Sequence, residues 1–473
     1  MKILFIIPNA TSYAMGVHLQ AGQPHVGVGY LASVLLENGH EVEIVDMRVN
    51  RSRIQLYRKI SDFRPDYVGI TSLSNQFDIA YDLVDEIKDK FGVPIVFGGF
   101  HVSVMHEKVL QDTKSDYGVF GEGEYTLLEL VNGIDPSKIK GLIWRKDSDI
   151  ITNPPREFNR DLDSLPFPAF EKFPLKKYLD KKIPIATSRG CPYHCIYCGN
   201  KLSMGRNFRP RSPENVVSEM EYWYQKGYRY IEFNDDCFNF DMQRAERICD
   251  LLIENNMDLK WDIRNGIRVD RVSRTLLQKM KAAGCFFVGL GIESANSDTL
   301  KRVKKGITLK QAERAVKLCR EVGLDIDAFF IVGLPGDNYD SFKKTLSFAQ
   351  SLDLKRGSEA RFFNLIPFPG SQLYEWIQKN GRFIYPVEEY LNSIGNLSEE
   401  PIFETPDFTK EERAKAFQEA QEFVMSKFLA THFGSFMGKI AFLFWKNKRL
   451  RSLMGRLGSW TLGFSRRLKV RLS

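Results

Sequence analysis

Cys191-Pro192-Tyr193-His194-Cys195-Ile196-Tyr197-Cys198 places three thiols on one short run. The C-x3-C-x2-C spacing suits soft-ligand metal chemistry, because thiolates bind zinc or iron–sulfur clusters. Three sulfurs hold three irons of a cubane and leave the fourth iron open to a small molecule, much as an open catalytic zinc keeps a position for substrate. A zinc ion is the alternative occupant. It would need His194 or a distant fourth ligand, and His194 stands awkwardly between the first two cysteines. The chain has seven cysteines, an odd number with three clustered. That pattern fits a reducing compartment and a metal site better than a disulfide framework.

The elements that must carry this loop are legible around it. Strand candidates at 183–188, 229–233, 259–263, 286–291, 325–332 and 360–366 alternate with amphipathic stretches at 213–226, 275–283, 308–322 and 339–352. The alternation predicts a (β/α)6 partial TIM-like barrel over 183–380, with chemistry at the carboxyl ends of its strands. Those ends carry Asn234-Asp235-Asp236, the stretch from Gly289 to Glu293 and Ser294, Gly333-Leu334-Pro335, and Pro367 to Ser371. Either Asp235 or Asp236 could instead cap the next helix. Glu293 ends a strand beside two glycines, so it reads as a ligand contact or as a paired carboxylate shaping the barrel mouth. Cys237, at a strand end, could face substrate or pack inertly, and Cys249 and Cys319 fall inside helical periodicity as core residues.

Residues 1–132 alternate in the same way. Lys2–Ile7, Glu41–Val45, Tyr67–Thr71 and Pro94–Phe97 read as strands, with helices over Gly29–Glu37 and Asp78–Lys90. This predicts a doubly wound parallel sheet with its ligand at the strands' carboxyl ends. There stand Asp46-Met47-Arg48, Thr71-Ser72-Leu73, Gly98-Gly99-Phe100-His101 and Gly121-Glu122-Gly123-Glu124. Residues 133–182 read as a linker holding a small hairpin (Gly141–Trp144 with Ile150–Thr152), followed by prolines that break regular structure.

A length of 473 residues, 43% apolar and 27% charged, is ordinary for two or three globular domains and excludes collagen-like or wholly disordered classes. No apolar run is long enough for a spanning helix, and the opening apolar run is too short for a signal peptide. The net charge of +8 is uneven: from Lys427 onward there are 11 Lys and Arg and no Asp or Glu. Residues 381–473 are read as a helical extension ending in a basic amphipathic tail. Phe433, Phe436, Met437, Ile440, Phe444 and Leu450 recur at three- or four-residue steps among the cations. That pattern fits a segment lying on an anionic membrane, or a helix packed on the barrel with its charges in water. No nucleic-acid groove is expected.

C-x3-C-x-aromatic-C, with Tyr197 as the aromatic, resembles the radical S-adenosylmethionine (SAM) enzymes over about residues 180–380. The resemblance implies a [4Fe-4S] cluster on Cys191, Cys195 and Cys198. It also implies SAM contacts from Tyr197, Asn234, Asp235, Asp236, Glu293, Gly333, Leu334 and Pro335. Asp337 stands where many relatives have Glu. The first 132 residues are similar to the cobalamin-binding domain of the B12-binding radical SAM branch. Thr71, Ser72, Leu73, Gly98, Gly99 and Glu122 are the implied cobalamin contacts. Domains that ligate cobalt through histidine carry Asp-x-His-x-x-Gly; here Arg48 takes the histidine's place and has no lone pair to offer. Cobalamin is therefore expected without a protein histidine below, with surface or phosphate-contact roles for His18, His25 and His101. Methylthiotransferases share the barrel but need N-terminal cysteines, and none precedes Cys191. The implied activity is reductive cleavage of SAM to a 5′-deoxyadenosyl radical, with methylation of an unactivated carbon of a small-molecule or lipid-type substrate. Cyclisation or rearrangement, or a cobalamin sensor without turnover, are the alternatives. The implied partners are an electron donor such as flavodoxin or ferredoxin and an anionic membrane surface, in a cytoplasmic protein peripheral to the inner membrane face.

Overall fold

The computed structural model describes residues 1–9, 13, 14, 17, 18, 22–393 and 400–446. The first domain is built on β1 (Lys2–Ile7), β2 (Glu41–Asp46), β3 (Tyr67–Thr71), β4 (Ile95–Gly98) and β5 (Tyr117–Val119). Its helices are α1 (Val26–Glu37), α2 (Arg53–Phe63), α3 (Phe77–Phe91), α4 (Phe100–Met105), α5 (Glu107–Asp112) and α6 (Glu124–Val131). Ile3, Leu4, Phe5, Ile6 and Ile7 are all buried, as a central strand covered on both faces requires. The sheet order is β2-β1-β3-β4-β5-β6-β7, where β6 (Leu142–Lys146) and β7 (Asp149–Thr152) run antiparallel at the edge.

The hairpin expected in a free linker thus belongs to the first sheet. Gly118 pairs with Ile143, whose side chain is buried in the core of the first domain with Leu4, Ile6 and Phe97. The proline-rich run after it is a packed strap. Phe170, Phe173 and Tyr178 are buried, the Phe170 ring packs tilted against Trp223, and the Tyr178 hydroxyl donates to Asp46 at 2.6 Å. One apolar cluster consequently runs from Ile3 and Val28 through Phe170 and Trp223 to Phe330.

The second domain is an open parallel sheet in sequential order: β8 (Ile183–Ile185), β9 (Tyr230–Phe233), β10 (Lys260–Ile267), β11 (Cys285–Glu293), β12 (Asp325–Val332) and β13 (Glu359–Asn364). Helices α7 (Pro213–Gln225), α8 (Met242–Glu254), α9 (Arg274–Ala282), α10 (Ser297–Arg302), α11 (Leu309–Val322) and α12 (Tyr339–Ser351) connect them. The expected strand at 183–188 stops at Ile185. Beyond it the Thr187 N–H is taken by Asp235, and Ser188–Arg189 pairs antiparallel with Arg209–Pro210.

Beyond the sheet come α13 (Gln372–Asn380), α14 (Val387–Ser393), α15 (Lys410–Phe433) and α16 (Ser435–Lys446). A reciprocal Thr409–Glu412 cap starts α15. α16 folds back on α15, with Gly438 against Ala430. The basic tail past Lys446 lies outside the described residues.

Candidate functional site

The cysteine loop hangs from the end of β8 and is braced at both ends by one carboxylate. Asp236 accepts from the Gly190 N–H at 2.9 Å and from the Asn200 side chain. Gly190 has φ +79, and a Cβ there would collide with the Asn207 carbonyl, so only glycine fits this close crossing. In the middle of the loop, Arg268 lies 3.5 Å over the Tyr193 ring and Arg271 Nε donates to the Tyr193 hydroxyl at 2.7 Å. The three thiols are half-buried and close enough that Cys191 and Cys195 both act on the charge of Cys198. Burial raises the Cys198 thiol to about 11 and also raises Cys195. A hydrogen bond from Cys237 instead lowers Cys191 to about 7. His194, on which a mononuclear site would draw, is exposed and turned to Arg206.

Buried carboxylates ring the barrel mouth, and each is already engaged. Asp235 accepts from the Thr187 N–H at 2.7 Å, the Thr187 hydroxyl at 2.5 Å and the Ser188 hydroxyl at 2.6 Å. Burial raises its pKa against those donors. Glu293 has φ +71, a strained left-handed backbone for a non-glycine residue, and meets Lys305 Nζ at 2.6 Å. Lys305 is buried. Desolvation alone would lower its pKa, but Glu293 and Cys195 raise it. Arg268 donates to the Lys305 carbonyl at 2.8 Å, so two cations stand beside the cysteine loop. At the end of β12, Gly333 has φ +89 and its carbonyl accepts from the Arg413 guanidinium at 3.1 Å. Arg413 comes from α15 and is held between the Phe403 and Phe408 rings. Leu334 is buried and its N–H donates to Asp337.

The strand ends of the first sheet face this mouth. Phe100, directly after Gly98-Gly99, packs edge-on against Phe368 and touches Gly199, the residue after Cys198. On the other side of the loop, Arg189 donates to Glu122 at 2.9 Å and to Glu124 at 2.8 Å, and Arg209 donates to Glu122 at 2.6 Å. All four side chains are buried, and Arg189 also lies 4.7 Å from the Tyr30 ring centre. Burial would raise the Glu122 pKa, but Arg189 and Arg209 hold it below the usual carboxylate value. The cysteine loop is therefore gripped by the first domain at both of its ends.

Most of the residues singled out in the sequence lie on these two facing edges, in different roles. Leu73 is exposed, and the space above Gly98 is nearly open. Ser72 is buried under Gly99, and Thr71 is half-buried. Glu122 is committed to arginines of the other domain. Asn234 is half-buried, with its N–H on the Ile185 carbonyl. Pro335 is buried beside Leu334, and Tyr197 is part-exposed among Cys195, Cys198 and Glu293. Cys237 is buried against Cys191, while Cys249 and Cys319 are core residues.

Of the histidines expected in surface or phosphate-contact roles, His25 is half-buried and His101 is buried. His25 caps α1 by accepting from the Val28 N–H, and burial with Arg48 nearby lowers it to about 4. His101 is buried, stacks 4.7 Å from Phe77 and is lowered to about 3. Burial keeps both rings neutral, His25 as the acceptor that caps α1 and His101 sharing a hydrogen bond with the Tyr81 hydroxyl at 3.1 Å. The His18 side chain lies outside the described residues. Arg48 is spent on Asp46, at 2.9 and 2.6 Å. Sequence reasoning missed Arg189, Arg268, Lys305 and Arg413. Arg189 directly precedes the Gly190-Cys191 pair and was the one with a local signal.

The model described as Radical SAM superfamily matches residues 185–349, and the B12 binding domain model matches residues 14–131. An uncharacterised methyltransferase of Pyrococcus horikoshii is 31% identical over 431 residues, covering 89% of this chain and 91% of that protein. Cytidylyl-2-hydroxyethylphosphonate methyltransferase of Streptomyces wedmorensis is 27% identical over 453 residues, covering 82% and 83%. Anaerobic magnesium-protoporphyrin IX monomethyl ester cyclase of Rubrivivax gelatinosus is 28% identical over 393 residues, covering 79% and 70%. Among solved structures, the cobalamin-dependent SAM radical enzyme OxsB superposes with a TM-score of 0.74 at 18% identity, covering 96% of this chain and 72% of that one. The radical SAM methyltransferase TsrM from Kitasatospora setae gives 0.69 at 21% identity, covering 80% and 76%.

Proposed function

Because this chain belongs to the B12-binding branch of the Radical SAM superfamily, we propose that it methylates an unactivated carbon of a small molecule, using a [4Fe-4S] cluster, SAM and cobalamin. The observation that carries this reading is the pair of facing edges. The three-cysteine loop and the strand ends of the first sheet share buried contacts through Phe100 and through Arg189 with Glu122 and Glu124.

The residues suit the groups assigned to them. Three soft thiols share one loop, with Arg268 and Lys305 beside them to offset negative charge. Leu73 and the open face of Gly98 offer an apolar, unobstructed platform at the other edge. When bound, the cluster and SAM supply a carbon-centred radical and cobalamin supplies a transferable methyl group.

This chain's residues do the placing. Asp236 fixes both ends of the loop, and Tyr193 is held between Arg268 and Arg271 so that the loop cannot swing. Tyr197 and Glu293 border the SAM side, and Gly333-Leu334-Pro335 presents its backbone there under Arg413. Asp235 acts as a positioning residue, since its oxygens already hold Thr187 and Ser188. Such preorganisation matters because orientation of reacting atoms contributes about 7–11 kcal/mol to rate.

Anaerobic reconstitution with iron, sulfide, cobalamin, SAM and a reductant tests the reading. 5′-Deoxyadenosine and label from methyl-labelled SAM in an acceptor are the expected products. An acceptor that loses hydrogen without gaining label would mean cyclisation, and cobalamin binding without SAM cleavage would mean a sensor. A small reduced electron carrier of flavodoxin or ferredoxin type is proposed as the physiological reductant.

The C-terminal helices support peripheral contact with an anionic bilayer. Phe433, Phe436, Met437 and Leu443 are exposed on α15 and α16, next to the basic run that starts at Lys427. Among the described residues no helix is long and apolar enough to cross a membrane. Deleting 431–473 should abolish co-sedimentation with phosphatidylserine vesicles, and unchanged co-sedimentation would remove the idea.

A further inference from the structure

The inner face of the second sheet is not filled with apolar layers. Strand alternation sends Trp261, Ile263, Val288, Leu290, Ala328, Phe330 and Phe362 outward, where they are buried under the helices. The opposite face carries Glu232, Asp262, Arg264, Phe287, Asp327, Phe329, Glu359, Arg361 and Phe363. The register supports this assignment: Glu232 pairs with Asp262, Asp262 with Phe287, Asp327 with Glu359, and Phe329 with Arg361.

The charges on this inner face are arranged in two layers. The carboxylates are the hidden members of each pair. Asp262 is fully buried, Asp327 is 7% exposed and Glu232 is 12% exposed, while Arg264 is 42% and Arg361 is 46% exposed. Arg264 Nε donates to Asp262 at 2.9 Å and Arg361 Nε donates to Asp327. Lys182 Nζ also donates to Asp262 at 2.7 Å and is shared with Glu232 at 3.4 Å. The terminal nitrogens of Arg264 make no hydrogen bond among the described residues. Arg361 spends one of its own on Glu359, at 3.1 Å. Arg264 on β10 and Arg361 on β13 lie on the same face of the sheet, on either side of β11 and β12, and Arg361 reaches back to Asp327 of β12. Gly289, which pairs with Asp327, has no side chain, and the Phe329 ring lies over it. Phe329 and Phe363 stand next to them, edge to face at 6.0 Å, and Phe363 is exposed.

We propose that this inner face binds the substrate, and that the substrate carries an anionic group, carboxylate or phosphate, on a flat apolar body. Arg264 and Arg361 take the anion, because guanidiniums oriented by buried carboxylates present their remaining N–H groups as a preformed fork. Phe329 and Phe363 take the apolar body. The proposal rests on the reading of the chain as a radical SAM enzyme only in calling this ligand the substrate.

The test uses the reconstituted full chain and four probes in calorimetric titration: phenyl phosphate, benzoate, inorganic phosphate and neutral benzyl alcohol. Phenyl phosphate or benzoate should bind at least ten-fold tighter than benzyl alcohol. Whichever of the two binds tighter tells phosphate from carboxylate. Arg264→Gln and Arg361→Gln should each weaken the aromatic anion about ten-fold or more, the loss of a charge-assisted hydrogen bond. Arg361→Lys should recover part of it. Phe363→Ala should weaken phenyl phosphate but not inorganic phosphate. Equal binding of benzyl alcohol and the anions, no binding of any probe, or affinities untouched by the arginine substitutions would overturn the proposal. Circular dichroism of each variant separates lost binding from lost fold. SAM cleavage by the unmodified chain is measured separately, so failure of the enzymatic reading and failure of the anion site give different results.

Discussion

The two facing sheet edges hold their functional loops by different means. The barrel mouth is self-contained: Asp235, Asp236 and Asp337 each accept from groups of the same domain, and Glu293 pairs with Lys305 of that domain. The edge of the first sheet is not. Its buried carboxylates Glu122 and Glu124 reach across to Arg189 and Arg209. A carboxylate satisfied locally stiffens one loop, whereas one satisfied across a boundary also fixes the distance between two cofactor faces. The barrel therefore sets its own geometry, and the first domain is set relative to it.

The largest expected effect tests whether the mouth is organised around the sulfurs at all. Cys195→Ala should abolish the cluster and SAM cleavage together, read as iron and sulfide content, the electron paramagnetic resonance of the reduced protein and 5′-deoxyadenosine. Zinc in the anaerobically purified protein, with no inorganic sulfide, would show that the mouth is not built around an iron–sulfur cluster.

Next in size is the bridge itself. Arg189→Met leaves Glu122 with Arg209 alone and Glu124 with no ion-pair partner. Stranding a buried charge costs about 3–5 kcal/mol. Urea unfolding followed by tryptophan fluorescence should show the loss. Adding Glu122→Gln and Glu124→Gln to Arg189→Met should recover much of it, because the uncompensated charge is gone. If the single variant is as stable as the parent, the bridge does not hold the domains.

The barrel's own carboxylates give a smaller, pH-dependent effect. Burial raises Asp337 to about 6, against donors from Thr299, Ser341 and the Leu334 N–H. A folded-state pKa above the unfolded value of about 3.9 means that the folded chain binds the proton more tightly. The stabilisation is then fully present below about pH 4 and is lost as pH rises through 6, by about 3 kcal/mol in all. Asp337→Asn should flatten that decline in urea midpoints measured from pH 4 to 7. Parallel declines in parent and variant would assign the pH dependence elsewhere.

What was readable in the sequence follows the same division. Cys191, Cys195 and Cys198 declare themselves by spacing, and the strands of both sheets declare themselves by apolar runs and turn residues, because these are local patterns. Glu122 looked like a ligand contact because strand-end position is all a local reading sees. Its partner Arg189 is 67 residues away and in another domain. Asp235 read as a SAM contact from its strand-end position alone; its hydrogen bonds from Thr187 and Ser188, just past the end of β8, are not visible locally. The hairpin at 142–152 was visible as a hairpin, but its docking on Tyr117–Val119 depends on which edge was left uncovered.

Arg413 makes the smallest and sharpest test, because it carries a buried charge from the C-terminal extension to the barrel mouth. Its guanidinium is buried between two phenyl rings and its charge is opposed by no carboxylate within ion-pairing distance among the described residues, so burial lowers its pKa to about 10. The Gly333 carbonyl is one of its few acceptors, and that bond needs Gly333 in the left-handed region. Gly333→Ala adds a Cβ that strikes the guanidinium, at a position where φ is already unfavourable for alanine. The cost should be about 1–3 kcal/mol of stability. If the barrel mouth is as self-contained as its carboxylates imply, Arg413→Met should lower stability while leaving the KM for SAM near the parent value, and Gly333→Ala should raise that KM. Equal KM changes in the two variants would place the C-terminal helix inside the machinery of the mouth.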